Sequence, residues 1–167
     1  MTADISKFEE VISLLSTKIQ ADHLIGEVDL LIADIYNTQK TFDQKLSETL
    51  NHDEKEALIG MIQKHAVNTA DPMKFQEYLE ELKEAVRSIP VMDVTIGVDP
   101  KDALVSVVAS WLKTNATTRF ILDFHKDDTC GGGAVVEFGG ERRDFTIRKH
   151  LQNKFKKKEL GSLLKEA

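Results

Sequence analysis

Hydrophobic positions in residues 1–90 recur every three or four places, the period of an α-helix with one buried face. Phe8, Ile12, Leu15 and Ile19 form one such stripe over Ile5 to Gln20, with Ser6 and Glu9 at capping-box spacing near its start. Asp22 can cap a second helix. Its apolar positions Leu24, Val28, Leu31, Ile35, Phe42, Leu46 and Leu50 keep roughly helical phase, across a polar lapse at Asn37 to Lys40 where the helix can break. Asn51 followed by Glu54 repeats the capping spacing. It predicts a third helix through Ala57, Leu58, Met61, Ile62 and His65, ending near Asn68. Asp71 then Pro72 is a cap followed by a proline at the first helical position, where the missing N–H costs nothing, and Phe75, Leu79, Leu82 and Val86 stripe the fourth helix up to Pro90.

After Pro90 the period changes to two. Met92, Val94, Ile96 and Val98 face one way, and Asp93, Thr95 and Gly97 the other, as in a half-buried strand. Asp99 and Pro100 repeat the cap-then-proline start for a helix with Leu104, Val107, Val108, Trp111 and Leu112 buried, ending before Asn115. A strand is expected at Arg119 to His125, with Phe120, Leu122 and Phe124 alternating, followed by a Gly-rich loop over 126–133. Ala134 to Phe138 and Glu141 to Phe145 read as a hairpin joined by Gly139-Gly140, a pair that supplies positive φ cheaply. Thr146 can cap a last helix with Ile147, Leu151 and Phe155 on one face, before a short tail with Leu160, Leu163 and Leu164. Four helices followed by β-α-β-β-β-α make an α+β protein with one mixed sheet. The change of period divides it into a helical domain at residues 1–90 and an α/β domain at 91–167.

Composition narrows the class. In 167 residues, 41% are hydrophobic and 30% charged, the balance of a globular protein and not of a disordered tail or fibre. A single Cys130 cannot form an internal disulfide, which fits a reducing compartment. The longest uncharged apolar stretch, Ala103 to Leu112, is about half a membrane span, and neither a spanning helix nor a signal peptide is visible. The formal charge of -6 is uneven: residues 1–90 carry 17 acidic against 9 basic side chains, and residues 141–167 carry 4 against 9. An acidic front and a basic end point to two different contact surfaces.

Catalytic templates find no foothold. The histidine nearest Cys130, His125, sits on a strand with no obvious orienting partner, so Cys130 reads as a loop cysteine and not as a Cys-His nucleophile. His23, His52, His65, His125 and His150 show no paired spacing for zinc and read as surface or capping residues. Gly131-Gly132-Gly133 leads into a strand and lacks the Lys-Ser/Thr of a phosphate loop, so a tight turn is expected. Asp127-Asp128 has too few spaced oxygens for a calcium cage and reads as a solvated loop. No catalytic, cofactor-binding or metal-binding residue is assigned. The cluster Lys154, Lys156, Lys157 and Lys158 is a solvated helix face or a site for an acidic protein partner. Phosphate backbone is the alternative, which would make the chain a stand-alone binding module for nucleic acid or a regulatory protein.

The stretch Asp127 to Leu151 resembles the C-terminal signature of the delta subunit of F-type ATP synthases, the family of the oligomycin-sensitivity-conferring protein. Asp127, Gly132, Gly133, Asp144, Thr146 (where the family has Ser), Arg148 and Leu151 fall on the family's positions in one register, and the likeness covers about residues 90–155. Asp128 stands where the family usually has Pro, and Gly131 where it has a bulky apolar residue. Residues 1–90 lack the family's Arg-Tyr-Ala-x-Ala-Leu opening and six-helix bundle. The resemblance implies a non-catalytic peripheral-stalk (stator) subunit without a cofactor, present in one copy per complex. It further implies helices docked on the N-termini of the alpha subunits and a C-terminal domain on the b-type stalk. The implied location is cytoplasmic, peripheral to the plasma membrane through the complex, with no nucleic acid bound.

Overall fold

The computed structural model describes residues 5–115, 119–152 and 154. The fold is α+β, and the chain divides into two compact units, Met1–Pro90 and Val91–Ala167.

In the first unit a 3₁₀ turn, Ile5–Phe8, leads into α1 (Glu9–Ile12), followed by α2 (Lys18–Asp34), α3 (Phe42–Thr49), α4 (His52–Lys64) and α5 (Pro72–Arg87). The expected first helix therefore stops early, and the second starts four residues before Asp22. The cause is local. The Ser13 hydroxyl donates back to Glu10 O at 2.7 Å, competing with the helical ladder. Gln20 then gathers the backbone N–H groups of Ser16 and Thr17 at 2.9 and 3.1 Å while Thr17 caps α2, so the chain restarts there. The long second helix is also cut. A second capping box, Thr41 with Gln44, opens α3, and the buried Lys45 donates to Ile35 O at 2.7 Å, satisfying a carbonyl at the end of α2.

The caps expected at Asn51/Glu54 and at Asp71-Pro72 form. The third helix ends at Lys64, short of Asn68, because Val67 N–H bonds Ile62 O at 3.0 Å and Ala66 N–H bonds Gln63 O at 3.1 Å. This Schellman closure puts Ala66 at φ +50, a left-handed conformation glycine normally takes. Phe8, Ile12, Leu24, Leu31, Leu46, Leu58, Met61, Leu79 and Leu82 fill the core of this unit.

The second unit is a four-stranded sheet of β1 (Val91–Ile96), β2 (Ile121–Lys126), β3 (Ala134–Phe138) and β4 (Glu141–Asp144) in the order β2-β1-β3-β4, with α6 (Asp102–Asn115) between β1 and β2. β1 pairs parallel with β2 and antiparallel with β3, so the sheet is mixed. Gly139 and Gly140, at φ +59 and +81, make the two-residue turn that sets Phe138 opposite Glu141. α6 does not start at Asp99-Pro100. Lys101 O accepts the first helical bonds, from Leu104 N at 2.8 Å and Val105 N at 3.1 Å, while the Asp99 carboxylate pairs with Lys126 at 3.1 Å.

The buried face of α6 is also rotated from the expected stripe. Val107 is 68% exposed and Ala109 is 8% exposed, the latter packing with Val94, Ile96 and Leu122. Trp111 and Leu112 lie outside the residues whose side chains are described. β2 is apolar on both faces, with Ile121 and Leu122 both buried, so strict alternation fails there. Residues 147–152 are helical, and Thr146 Oγ1 accepts from Lys149 N at 3.3 Å as their cap. Phe155, Leu160, Leu163 and Leu164 lie outside the described residues.

Candidate functional site

The motif residues divide into a corner and an outer face. At the corner the same turn is built twice. Asp127 Oδ1 accepts the Thr129 N–H at 2.8 Å and its hydroxyl at 2.7 Å, and Asp144 Oδ1 accepts the Thr146 N–H at 2.9 Å and its hydroxyl at 2.6 Å. In both, the threonine hydroxyl and then its backbone N–H hold the aspartate carboxyl below the usual carboxylate range. The first turn closes with Cys130 buried and Gly131 at φ +63; the second ends β4 one residue before the expected Phe145.

Gly132 and Gly133 join the two turns. Ile147 N donates to Gly132 O at 3.0 Å and Phe145 N to Ala134 O at 2.8 Å, so residues 132–134 zip to 145–147. Gly133 sits at φ +87, and a Cβ there would collide with Phe145 O and stand 2.9 Å from Thr146 Cα. Both facts require glycine. A Cβ on Gly132 would meet only the flexible end of Ile147, at 2.8 Å. Ile147, Arg148 and Leu151 of the last helix are all exposed, and Arg148 makes no ion pair among the described residues. Lys154 is exposed; Lys156, Lys157 and Lys158 lie outside the described residues.

Beside this corner the sheet carries an apolar groove of about 770 Å³. Met92, Val94 and Ile96 of β1 and Ala134, Val136 and Phe138 of β3 form its floor; Leu104 and Val108 of α6 and the exposed Phe145 form its walls. Its only charged lining groups among the described residues are Glu141 and Arg143, which pair with each other at 3.0 Å. Such a surface suits an apolar side-chain stripe.

The opposite face of the sheet carries a polar patch beside the buried Ile121 and Val135. Asp93 of β1 stands directly across from Asp123 of β2, and His125 lies two residues along β2 on the same face. His125 Nε2 is 3.3 Å from Asp93 Oδ1 and 3.7 Å from Asp123 Oδ2. Helical spacing of histidines does not reveal this trio, since it arises from strand alternation on one strand and register with its neighbour. The legible signal was Asp-x-His within a predicted strand. Of the other histidines, His23 and His52 pair with Glu27 and Glu56 one helical turn on, and His65 Nδ1 lies 2.8 Å from Tyr78 Oη.

No helix among the described residues is long and apolar enough to cross a membrane. No protein-family model and no curated protein matches the chain. Among solved structures, a chain of the Toxoplasma gondii mitochondrial ATP synthase hexamer is similar at 12% identity and a TM-score of 0.34, covering 96% of this chain and 98% of that one, a superposition too loose to carry an argument.

Proposed function

We propose that the chain is a non-catalytic stator subunit of a proton-translocating F-type ATP synthase, linking the catalytic alpha/beta head to a b-type stalk and resisting rotation. The observation that carries this reading is the corner: Asp127, Gly132, Gly133, Asp144 and Thr146 hold a shape by short hydrogen bonds and close backbone approach, with none of them poised to react. A stator needs rigid, extensive contact surfaces more than a perturbed pKa. The neighbouring groove is apolar and open, the form that receives the buried stripe of an amphipathic helix such as a stalk segment offers. On this reading residues 1–90 dock on the N-terminal segments of the alpha subunits, and the basic end of the chain adds electrostatic attraction to the stalk.

Binding of the full chain to purified head and stalk subunits tests it. Phe145→Glu places a charge on an exposed groove wall and should abolish stalk binding while head binding persists. Replacing Lys154, Lys156, Lys157 and Lys158 with glutamine should weaken stalk binding and reduce its salt dependence. Binding to neither subunit, with salt-sensitive binding to nucleic acid, would replace the stator with the stand-alone module.

A further inference from the structure

We propose that Asp93, Asp123 and His125 form a binding site for a divalent cation of the zinc type, on the sheet face opposite the apolar groove and independent of the stator reading. The backbone places all three. Asp123 and His125 share a face because they are two apart on β2, and parallel register sets Asp93 against Asp123. Donors carried by paired strands are held more tightly than donors on loops.

The spacing fits one ion. One donor atom from each residue lies within 4.8 Å of the other two. A tetrahedral centre with arms of about 2.0–2.2 Å separates its ligands by about 3.3–3.6 Å. The two distances from His125 Nε2, 3.3 and 3.7 Å, already approximate that edge. The half-exposed Asp93 side chain is free to rotate and complete the fit.

The charge on this face also suits a cation. On this face Asp123, Asp93 and Glu137 stand side by side across three strands, and like charges directly opposite one another destabilise a sheet. Arg142 answers Glu137, Nε to Oε1 at 3.2 Å. His125 is within ion-pair distance of both aspartates. A dication ligated by both carboxylates would lower this repulsion, and the neutral imidazole is the form that ligates.

The donor set selects the ion. Calcium wants six to eight oxygens and magnesium an octahedron of them, whereas one imidazole with two carboxylates suits zinc and its borderline neighbours. With Asp93 and His125 side chains about half exposed and Asp123 15% exposed, the fourth position faces solvent. Water or an incoming group can occupy it, as in open zinc sites.

Isothermal titration of the full chain with zinc chloride at neutral pH, together with the visible spectrum after cobalt(II) addition, decides it. One equivalent should bind, with a tetrahedral cobalt band, and binding should weaken as pH falls because protons compete for the ligands. His125→Ala and Asp93→Asn should each lower zinc affinity at least about tenfold, since even outer residues of metal sites cost 10–100-fold. His52→Ala, removing an exposed histidine paired with Glu56 on α4, should change nothing. Melting with and without zinc guards against misfolding: zinc should raise Tm in the wild-type chain and in His52→Ala but not in the other two variants. No zinc binding, equal binding in His125→Ala, or equal loss in His52→Ala would overturn the site and leave an ordinary His–Asp ion pair.

Discussion

Replacing Gly133 with alanine is the sharpest perturbation of the corner. Two costs add there. Its φ of +87 is one that an L side chain adopts at about 1–2 kcal/mol. The new methyl would also strike backbone, Phe145 O and Thr146 Cα, which no side-chain rotation can relieve. The 145–147 segment must move away, straining the Phe145–Ala134 and Ile147–Gly132 bonds, each worth about 0.5–1.5 kcal/mol net. The sum is about 2–5 kcal/mol, a large share of the stability of a small unit. Gly139 and Gly131 are internal controls. Both have positive φ, and a methyl at either would have nothing within 4 Å, so alanine there should cost only about 1–2 kcal/mol. The sole tryptophan, Trp111, lies on α6 in the same unit, so its fluorescence through a urea titration follows this unit separately from the helical one. A Gly133→Ala midpoint no lower than that of Gly139→Ala would show that the close approach of the two turns contributes nothing, and the clamp would have to be abandoned.

Ala66→Gly should stabilise the helical unit by about 0.5–1 kcal/mol in thermal melts, since relief at φ +50 exceeds the added backbone entropy; a lower Tm would contradict this. Burial, and then the neighbouring Glu54, raise the Glu27 carboxyl above its ordinary range, so its ionised form opposes folding. Glu27→Gln should therefore raise Tm at neutral pH, and the advantage should shrink as acid protonates Glu27 itself. Burial, followed by Glu81 and Glu10, pushes Tyr78 up to about 12. The unfolded phenol ionises near 10, so this contribution is constant below that pH and is lost as pH rises from about 10 to 12. Tyr78→Phe should abolish the alkaline loss seen by circular dichroism. Limited proteolysis near Pro90 should release a folded fragment beginning close to Val91, following the division into two units; a fragment without ordered structure by circular dichroism would count against autonomous folding.

The features legible in the chain itself were those governed by a few consecutive residues. Asn51 with Glu54, Asp71 before Pro72, and Gly139-Gly140 each satisfy or free their own backbone groups, so spacing alone was enough to place them. Thr17 with Gln20 and Thr41 with Gln44 carry the same signal, but a continuous apolar stripe ran across both and hid the breaks. Periodicity reports which residues want burial, whereas a cap decides where the ladder of bonds restarts. The features that needed the fold depend on neighbours remote in sequence. Val107 faces outward and Ala109 inward because the sheet approaches α6 from a direction that helical phase does not specify. Gly133 must be glycine because Phe145 and Thr146 arrive against it. Asp93 meets His125 across 32 positions only because β1 and β2 pair in parallel with Asp93 opposite Asp123. Local hydrogen bonding is settled within a turn of chain, but the meeting of side chains from different strands is settled by register, and register exists only once the sheet has formed.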